Sequence, residues 1–354
     1  MKLLKHSIKA RILWLLASCV ALIISSPMAG VYAQKTRDEL NSTMRWEHSD
    51  DGLKRRFEIR GKAEFNEEYN DIVSVTEGGW VIIEELRDSR SMRYEVRRDL
   101  AGNITRAFFV NGAQRSLDET TRAWLAKFVL DAVRQGGFDA EKRVQRILAK
   151  QGVQGVLAEI ALINGDYAKR HYYQELIKQA NLDANALRDV LRQVAREISS
   201  DYEQAQLLIA VAPMLTGKEA ALQPFFDAVA TIKSDYEQCR VLKTLLKEGT
   251  SSSVVLVLIA SSTKNIASDY ERRGVLTAVA RMKNQSEEVL RLLLDSAAEI
   301  SSDYEKATFL IEVSNIYTGD TRLRAAFLKA VETIKSDYER GRVLSTLLKN
   351  KQIS

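Results

Sequence analysis

The sequence predicts an α+β, mostly α protein: a small N-terminal antiparallel β-meander followed by a right-handed-type α-solenoid of two-helix repeats. Apolar residues alternate at period two before about residue 112 and recur at the helical period from Ser116 onward. In the second region the stretch ISSDYE at 198–203 returns as IKSDYE, IASDYE, ISSDYE and IKSDYE.

The chain of 354 residues opens on Lys2, Lys5, Lys9 and Arg11, then an apolar run of 13 residues from Ile12 to Ile24. Val31 and Ala33 place small residues at the −3 and −1 positions of a cleavage site before Gln34. This is the pattern of a secretory signal peptide over residues 1–33, and it predicts a periplasmic or secreted protein. Two alternatives stay open, both membrane-anchored. An uncleaved leader is one, although its apolar run is shorter than the ~20 residues that span a bilayer. A lipidated Cys19 is the other, because Leu16-Ala17-Ser18-Cys19 resembles a lipoprotein box; the apolar run continuing as VALII argues against it.

The leader distorts the overall charge. The formal net charge is +5, but losing four of the 52 basic residues leaves 48 against 47 acids, near +1. No basic patch for nucleic acid survives, and after leader cleavage no membrane span is expected. Hydrophobic content of 45% and charged content of 28% are those of a folded chain. Cys239 is left alone, so no intramolecular disulfide forms and the core alone must hold an exported chain together.

Residues 35–112 read as an antiparallel β domain of five or six strands. Phe57, Ile59, Met92, Tyr94 and Val96 alternate with polar neighbours, and DIVSVT (71–76), GWVIIEEL (79–86) and ITRAFFV (104–110) supply further strands. Asp50-Asp51-Gly52, Glu77-Gly78-Gly79, Asp88-Ser89 and Ala101-Gly102-Asn103 supply the turns. Trp46, Trp80 and Trp124 are expected in its core.

Residues 116–163 read as a helical linker or N-terminal cap of the array. Ser116-Leu117-Asp118-Glu119 has the form of a capping box, and the helix it opens stops at Gly136-Gly137. Asp139–Lys150 and Val153–Ile163 then form a helical hairpin.

Residues 164–350 carry the repeat, ahead of a tail at 351–354. Asp166, Asp201, Asp235, Asp269, Asp303 and Asp337 are spaced 35, 34, 34, 34 and 34 residues apart. An Ile lies three residues before each Asp and a Tyr one residue after it. Within each unit, Ser200, Ser234, Ser268, Ser302 and Ser336 are placed to cap a helix. Glu203, Glu237, Glu271, Glu305 and Glu339 are placed to close a capping box, and the Asp adds charge at the positive end of the helix dipole. Leu207, Leu208 and Val211 in one repeat, and Val241, Leu242 and Leu245 in the next, mark the buried face of this first helix. It ends near Gly217, Gly249, Asn284 or Gly319. A second helix returns to the next Ile, with Leu191, Phe225, Ile259, Leu293 and Phe327 as its buried stripe. Gly165-Asp166-Tyr167-Ala168 lacks both capping partners, as a terminal unit would. Residues 251–262 read alone as a strand, but the repeat register predicts a helix. Residues 200–246 match 302–348 at an offset of 102 residues, which points to duplication of a three-repeat block.

By its period, residues 139–350 resemble a tetratricopeptide- or HEAT-like α-solenoid, though without the Trp-Leu-Gly-Tyr signature or the Pro near the end of the unit. A small β region followed by these repeats is similar to uncharacterised exported bacterial proteins. Similar repeats accompany some membrane metallopeptidases of the β-lactam-sensor type. The resemblance carries no active site across, because this chain has no metallopeptidase motif.

Enzyme chemistry finds no support in the letters: there is no catalytic, cofactor-binding or metal-ligating constellation, and His48 and His171 lie in no spaced ligand set. Cys239 shares a column with Ala205, Ala307 and Gly341 and is expected as a small packed residue. Asn41 and Asn103 head glycosylation motifs that matter only in a eukaryotic secretory pathway. Tyr167, Tyr202, Tyr236, Tyr270, Tyr304 and Tyr338 form a ladder along one edge. They either grip an unknown protein or peptide partner or pack against the neighbouring repeat, and packing is the reading favoured. The function expected is an exported, non-enzymatic protein–protein or peptide-binding scaffold. The alternative is a component of a cell-envelope sensor or hydrolase system with an unrecognised site in the β domain. A cluster of exposed Asp, Glu, His and Arg in a β pocket would favour the alternative, and a featureless β surface would favour the scaffold.

Overall fold

A computed structural model describes residues 43–248, 252–283, 285–317 and 321–353. The expected leader with Cys19, the Asn41 motif and the helix ends expected at Gly249, Asn284 and Gly319 lie outside the described residues. The chain divides into two compact units, 1–139 and 140–354.

In the first unit the strands are β1 (Thr43–Asp50), β2 (Leu53–Arg60), β3 (Ala63–Phe65), β4 (Ile72–Val75), β5 (Trp80–Arg87), β6 (Arg90–Arg98), β7 (Ile104–Val110) and β8 (Ala113–Arg115). Six form an antiparallel sheet in the order β1-β2-β5-β6-β7-β8, and β3-β4 is a separate hairpin. Strands β1, β3 and β8 go beyond the sequence expectation. Asn111 (φ 48°) and Gly112 (φ 80°) make the two-residue turn into β8, the backbone for which Asn-Gly is suited.

Helix α1 (Glu119–Gly136) covers one face of this sheet. Its Leu125, Phe128, Val129, Ala132 and Val133 share a core with Phe57, Ile59, Val81, Ile83, Tyr94, Val96 and Phe108. The helix therefore belongs to the β unit and is not part of a linker running to residue 163. Its apolar face buries against the alternating face of the strands.

The cap of α1 also differs from expectation. Asp118, not Ser116, is the N-cap: its carboxylate accepts from Thr121 N at 2.8 Å, and Thr121 Oγ1 accepts from Asp118 N at 2.9 Å. The Thr121 N–H and the Thr121 hydroxyl, both donating to the Asp118 carboxylate, hold it below its ordinary value. The helix ends as expected, with Gly137 left-handed at φ 70°. Trp46 and Trp124 pack on the core, whereas Trp80 lies on the other face of the sheet, under the Arg97 guanidinium at 6.0 Å.

The second unit is a two-layer helical array. It opens with α2 (Ala140–Ile160), interrupted where Gly152 takes φ 65°, the break between the two halves of the expected hairpin. First helices of the repeats are α3 (Asp166–Gln179), α5 (Asp201–Val211), α7 (Asp235–Lys247), α9 (Asp269–Ala280), α11 (Asp303–Tyr317) and α13 (Asp337–Ile353). Second helices are α4 (Ala184–Glu197), α6 (Glu219–Thr231), α8 (Ser253–Ser262), α10 (Glu287–Ala298) and α12 (Thr321–Glu332). First helices pack on first helices and second on second, so each repeat lies beside the last in the same orientation. Helix α13 continues to Ile353, so the expected tail at 351–353 is helical. Residues 253–262 are helical, as the repeat register requires.

One continuous core runs through the array, because the Ile column and the Leu, Val and Phe stripes expected inside are inside. Ile163, Ile198, Ile232, Ile266, Ile300 and Ile334 are buried, as are Leu191, Phe225, Ile259, Leu293 and Phe327. Leu207, Leu208, Val211, Val241, Leu242 and Leu245 join them.

Candidate functional site

The S-D-Y-E segments build one edge of the array, and each letter has a separate job. The Ser caps its own helix: Ser200, Ser234, Ser268, Ser302 and Ser336 accept from the backbone N–H three residues on at 3.3–3.4 Å. At the first repeat Gly165 has no side chain to do this.

The Asp does more than complement a helix dipole, because it reaches forward to the next repeat. Asp201 accepts from Lys233 N at 3.0 Å and Ser234 N at 2.8 Å. Asp235 does the same for Ala267 and Ser268, Asp269 for Ser301 and Ser302, and Asp303 for Lys335 and Ser336. Asp166 takes Ser199 and Ser200. Each carboxylate thus satisfies the backbone that carries the following cap, and these bonds tie neighbouring helix N-termini together.

Burial alone would raise the Asp303 carboxyl, but the N–H groups of Lys335 and Ser336 and the charges of Lys306 and Lys335 outweigh it and hold it below its ordinary 3.8. A carboxylate depressed in the folded state stabilises fully at neutral pH. That contribution fades as pH falls through the ordinary aspartate value and is gone below the depressed one. The array is therefore expected to lose helical circular dichroism at lower urea concentration below about pH 4 than at pH 7. An Asp303→Asn variant should show a smaller acid effect.

The Glu does not reach back to close a capping box. Glu203 pairs with Arg170 and Glu305 with Arg273, each across a repeat boundary, while Glu237 pairs with Arg240 and Glu339 with Arg342 inside a repeat. A nearby guanidinium gives a carboxylate two donors and full charge pairing, which one backbone N–H does not.

A further column escaped the sequence reading. Three residues after each Asp stands a long donor: Lys169, Gln204, Gln238, Arg272, Lys306 and Arg340. Lys169, Gln204 and Lys306 donate to Glu197 O, Ala228 O and Thr333 O, carbonyls at the end of the second helix of the same repeat. Gln238, Arg272 and Arg340 turn back to Ile232 O, Ile266 O and Lys335 O in the entry loop. All but Arg340 are buried, and their donors satisfy backbone carbonyls at the end of the second helix or in the entry loop.

With those roles filled, the Tyr is what remains for solvent. Tyr167, Tyr202, Tyr236, Tyr270, Tyr304 and Tyr338 are 54–75% exposed. At that exposure they are not buried in the neighbouring repeat, although Tyr304 meets Arg342 of the next one; the second position of the first turn points them outward, away from the Leu and Val stripe. Guanidinium groups lie over four of the rings: Arg170 on Tyr167 at 5.3 Å, Arg240 on Tyr236 at 5.8 Å, Arg273 on Tyr270 at 5.3 Å and Arg342 on Tyr304 at 5.7 Å. His171 meets Tyr167 edge-on at 4.5 Å, and burial together with the Arg170 charge lowers its pKa. Because first helices stack in one orientation and the Asp bonds join their N-termini, the six rings run in a row along one edge.

Cys239 stands beside this edge but is buried, and burial and the Glu271 side chain push its thiol from 9.0 to about 11. A shift of that size leaves about 100-fold less thiolate near neutral pH. Iodoacetamide is expected to label the native protein at least that much more slowly than the urea-unfolded chain, read by mass spectrometry.

The β unit is not featureless. On the sheet face away from α1 the register aligns Glu47, Arg56, Glu84, Arg93 and Phe109 across five strands. A pocket of about 590 Å³ opens over this row, with Lys54, Leu86 and Ser91 also lining it. Its charges neutralise one another: Arg56 meets Glu84 at 2.6 Å, and Arg93 pairs with Glu95 and lies 4.9 Å over Phe109. Neither His nor Cys lines it. His48 is placed against Trp46 instead.

Among the described residues no group of three or more His, Cys, Asp and Glu is arranged to hold a metal ion, and no helix is long and apolar enough to cross a membrane. Compared with known proteins, the chain matches no family model, no curated protein and no solved structure.

Proposed function

We propose that the repeat array is a non-enzymatic scaffold that binds a segment of another protein along its tyrosine edge. What carries this reading is the exposure of the same Tyr in six consecutive repeats. Capping and the bonds between repeats are accomplished by the Ser, Asp, Glu and the long donor, so beyond the guanidinium contacts on four of them the rings are left to solvent. Tyrosine offers large contact area with little side-chain entropy to lose, and it is enriched where proteins meet. The layers of first and second helices support a tetratricopeptide- or HEAT-like repeat type, similar to exported bacterial repeat proteins. The leader at 1–33 supports a periplasmic or secreted location.

Selection from a random-peptide display library against the full chain tests the scaffold. Binders are expected that are lost when all six tyrosines are changed to Ser. A selection that yields no tyrosine-dependent sequence sinks the reading.

The charged pocket on the β sheet supports a second reading, in which the β unit recognises a ligand as part of a cell-envelope sensor system. Its paired charges and the absence of His and Cys from its lining favour recognition over hydrolysis.

A further inference from the structure

The spacing and charge of the tyrosine edge restrict what lies along it. Packed helices stand about 8–10 Å apart, so successive rings offer one contact about every 8–10 Å. A polyproline II chain advances about 3.1 Å per residue with three residues per turn, returning to the same face every ~9.3 Å. A β-strand returns to the same face after ~6.6–6.8 Å and falls out of step with the rings. An α-helix turns every ~5.4 Å and is about 10–12 Å wide with its side chains, more than one row of rings accommodates.

The charges at the edge select in the same direction. The aspartates from Asp166 to Asp303 are occupied by backbone N–H groups of the next repeat. Glu203, Glu237, Glu305 and Glu339 are occupied by arginines, and three of those arginines lie over a ring of their own repeat. Exposed Lys233 and Lys335 apart, a strongly charged partner would have to break these pairs to find a counter-ion, whereas an uncharged one meets aromatic faces and guanidinium planes as they stand. Proline suits such faces, since its ring is apolar and its backbone is already extended before binding.

We infer that the tyrosine edge binds an uncharged, proline-rich segment of another protein in the polyproline II conformation, with one Pro-x-x triplet per repeat. This rests on reading the array as a binding scaffold and specifies the occupant. The six rings accommodate a segment of about 15–18 residues, roughly 46–56 Å long at the polyproline II rise.

The test uses the full chain and a fluorescent synthetic peptide of five Pro-Pro-Ala triplets, about 15 residues spanning ~46 Å. Controls are a Gly-Ser peptide and an Ala-rich helical peptide of equal length. Fluorescence anisotropy is expected to detect binding of the triplet peptide alone. Affinity should fall about tenfold for each of Tyr236→Ala, Tyr270→Ala and Tyr304→Ala, with the thermal melt unchanged because these rings are exposed. A second measurement needs no variant protein: spacing the prolines every fourth residue puts the peptide out of step and should weaken it at least about tenfold. The inference is overturned if the triplet peptide does not bind, if a control binds equally, or if neither ring removal nor re-spacing matters. Should display instead return tyrosine-dependent binders with no proline period, the polyproline assignment falls while the scaffold reading stands.

Discussion

Changing both Asp235 and Asp269 to Ala is expected to destabilise the array by about 2–4 kcal/mol and to split its unfolding into two transitions. Each carboxylate accepts two backbone N–H groups of the following repeat, at 3.2 and 2.7 Å for Asp235 and at 3.1 and 2.7 Å for Asp269. Hydrogen bonds to a charged group contribute about 1.5–3 kcal/mol where buried; half-exposed sites such as these retain about 1–2 kcal/mol each. The loss falls on the boundary between repeats, not within one. A linear array is cooperative through its neighbour interfaces, so weakening two adjacent boundaries lets the ends unfold separately. Asp337 supplies the control, because its carboxylate meets Arg340 of its own helix at 2.8 Å. Asp337→Ala should cost under about 0.5 kcal/mol, in the range of an ordinary surface change. Urea titration followed by circular dichroism reads all three proteins, and equal costs at Asp235 and Asp337 would show that the inter-repeat bonds contribute nothing.

These bonds also mark where sequence reading stops. The period, the Ile column and the Leu and Phe stripes were legible because burial selects apolar residue types, and residue type is what a sequence records. The Asp bonds were not, since their donors are backbone N–H groups one repeat away, and a backbone donor has no letter of its own. The donor column from Lys169 to Arg340 was legible in principle: a long polar side chain three residues after every Asp is as regular as the Tyr. Regularity alone did not separate Tyr from Ile either. Both recur in every repeat, yet Ile266 is buried and Tyr270 is 62% exposed. Their positions in the turn decide it, with Ile closing the preceding loop onto the core and Tyr placed in the outward first turn.

In the β unit, Trp80 could have been placed by parity: it alternates with Val81 and Ile83, which are buried on the α1 face. Strand β1 offered less, because it is an edge strand exposed along most of its length and burial imposes no alternation on it. Strand β8 was signalled by Asn111-Gly112 but is only three residues long.

In the β unit the largest loss is expected at Arg55, which joins three elements. Its guanidinium donates to Glu85 on β5 at 2.7 Å and Asp131 on α1 at 3.2 Å, and it lies 5.3 Å from the centre of the Phe128 ring. Glu85 is only 5% exposed. Arg55→Ala would strand this carboxylate between sheet and helix, and breaking one side of a buried pair costs about 3–5 kcal/mol. The partial exposure of Asp131 places the expected loss near 3 kcal/mol. Lysine keeps the charge but not the two-pronged geometry, so Arg55→Lys should recover part of the loss. The double change Arg55→Met with Glu85→Leu separates pairing from packing: it removes both charges while keeping bulk, and should restore most of the stability. Urea unfolding followed by near-ultraviolet circular dichroism of Trp46 and Trp124 reports on this core. If the double variant is no more stable than Arg55→Ala, the stranded charge is not the source of the loss, and the guanidinium's own contacts with Asp131 and the Phe128 ring are what hold α1 to the sheet.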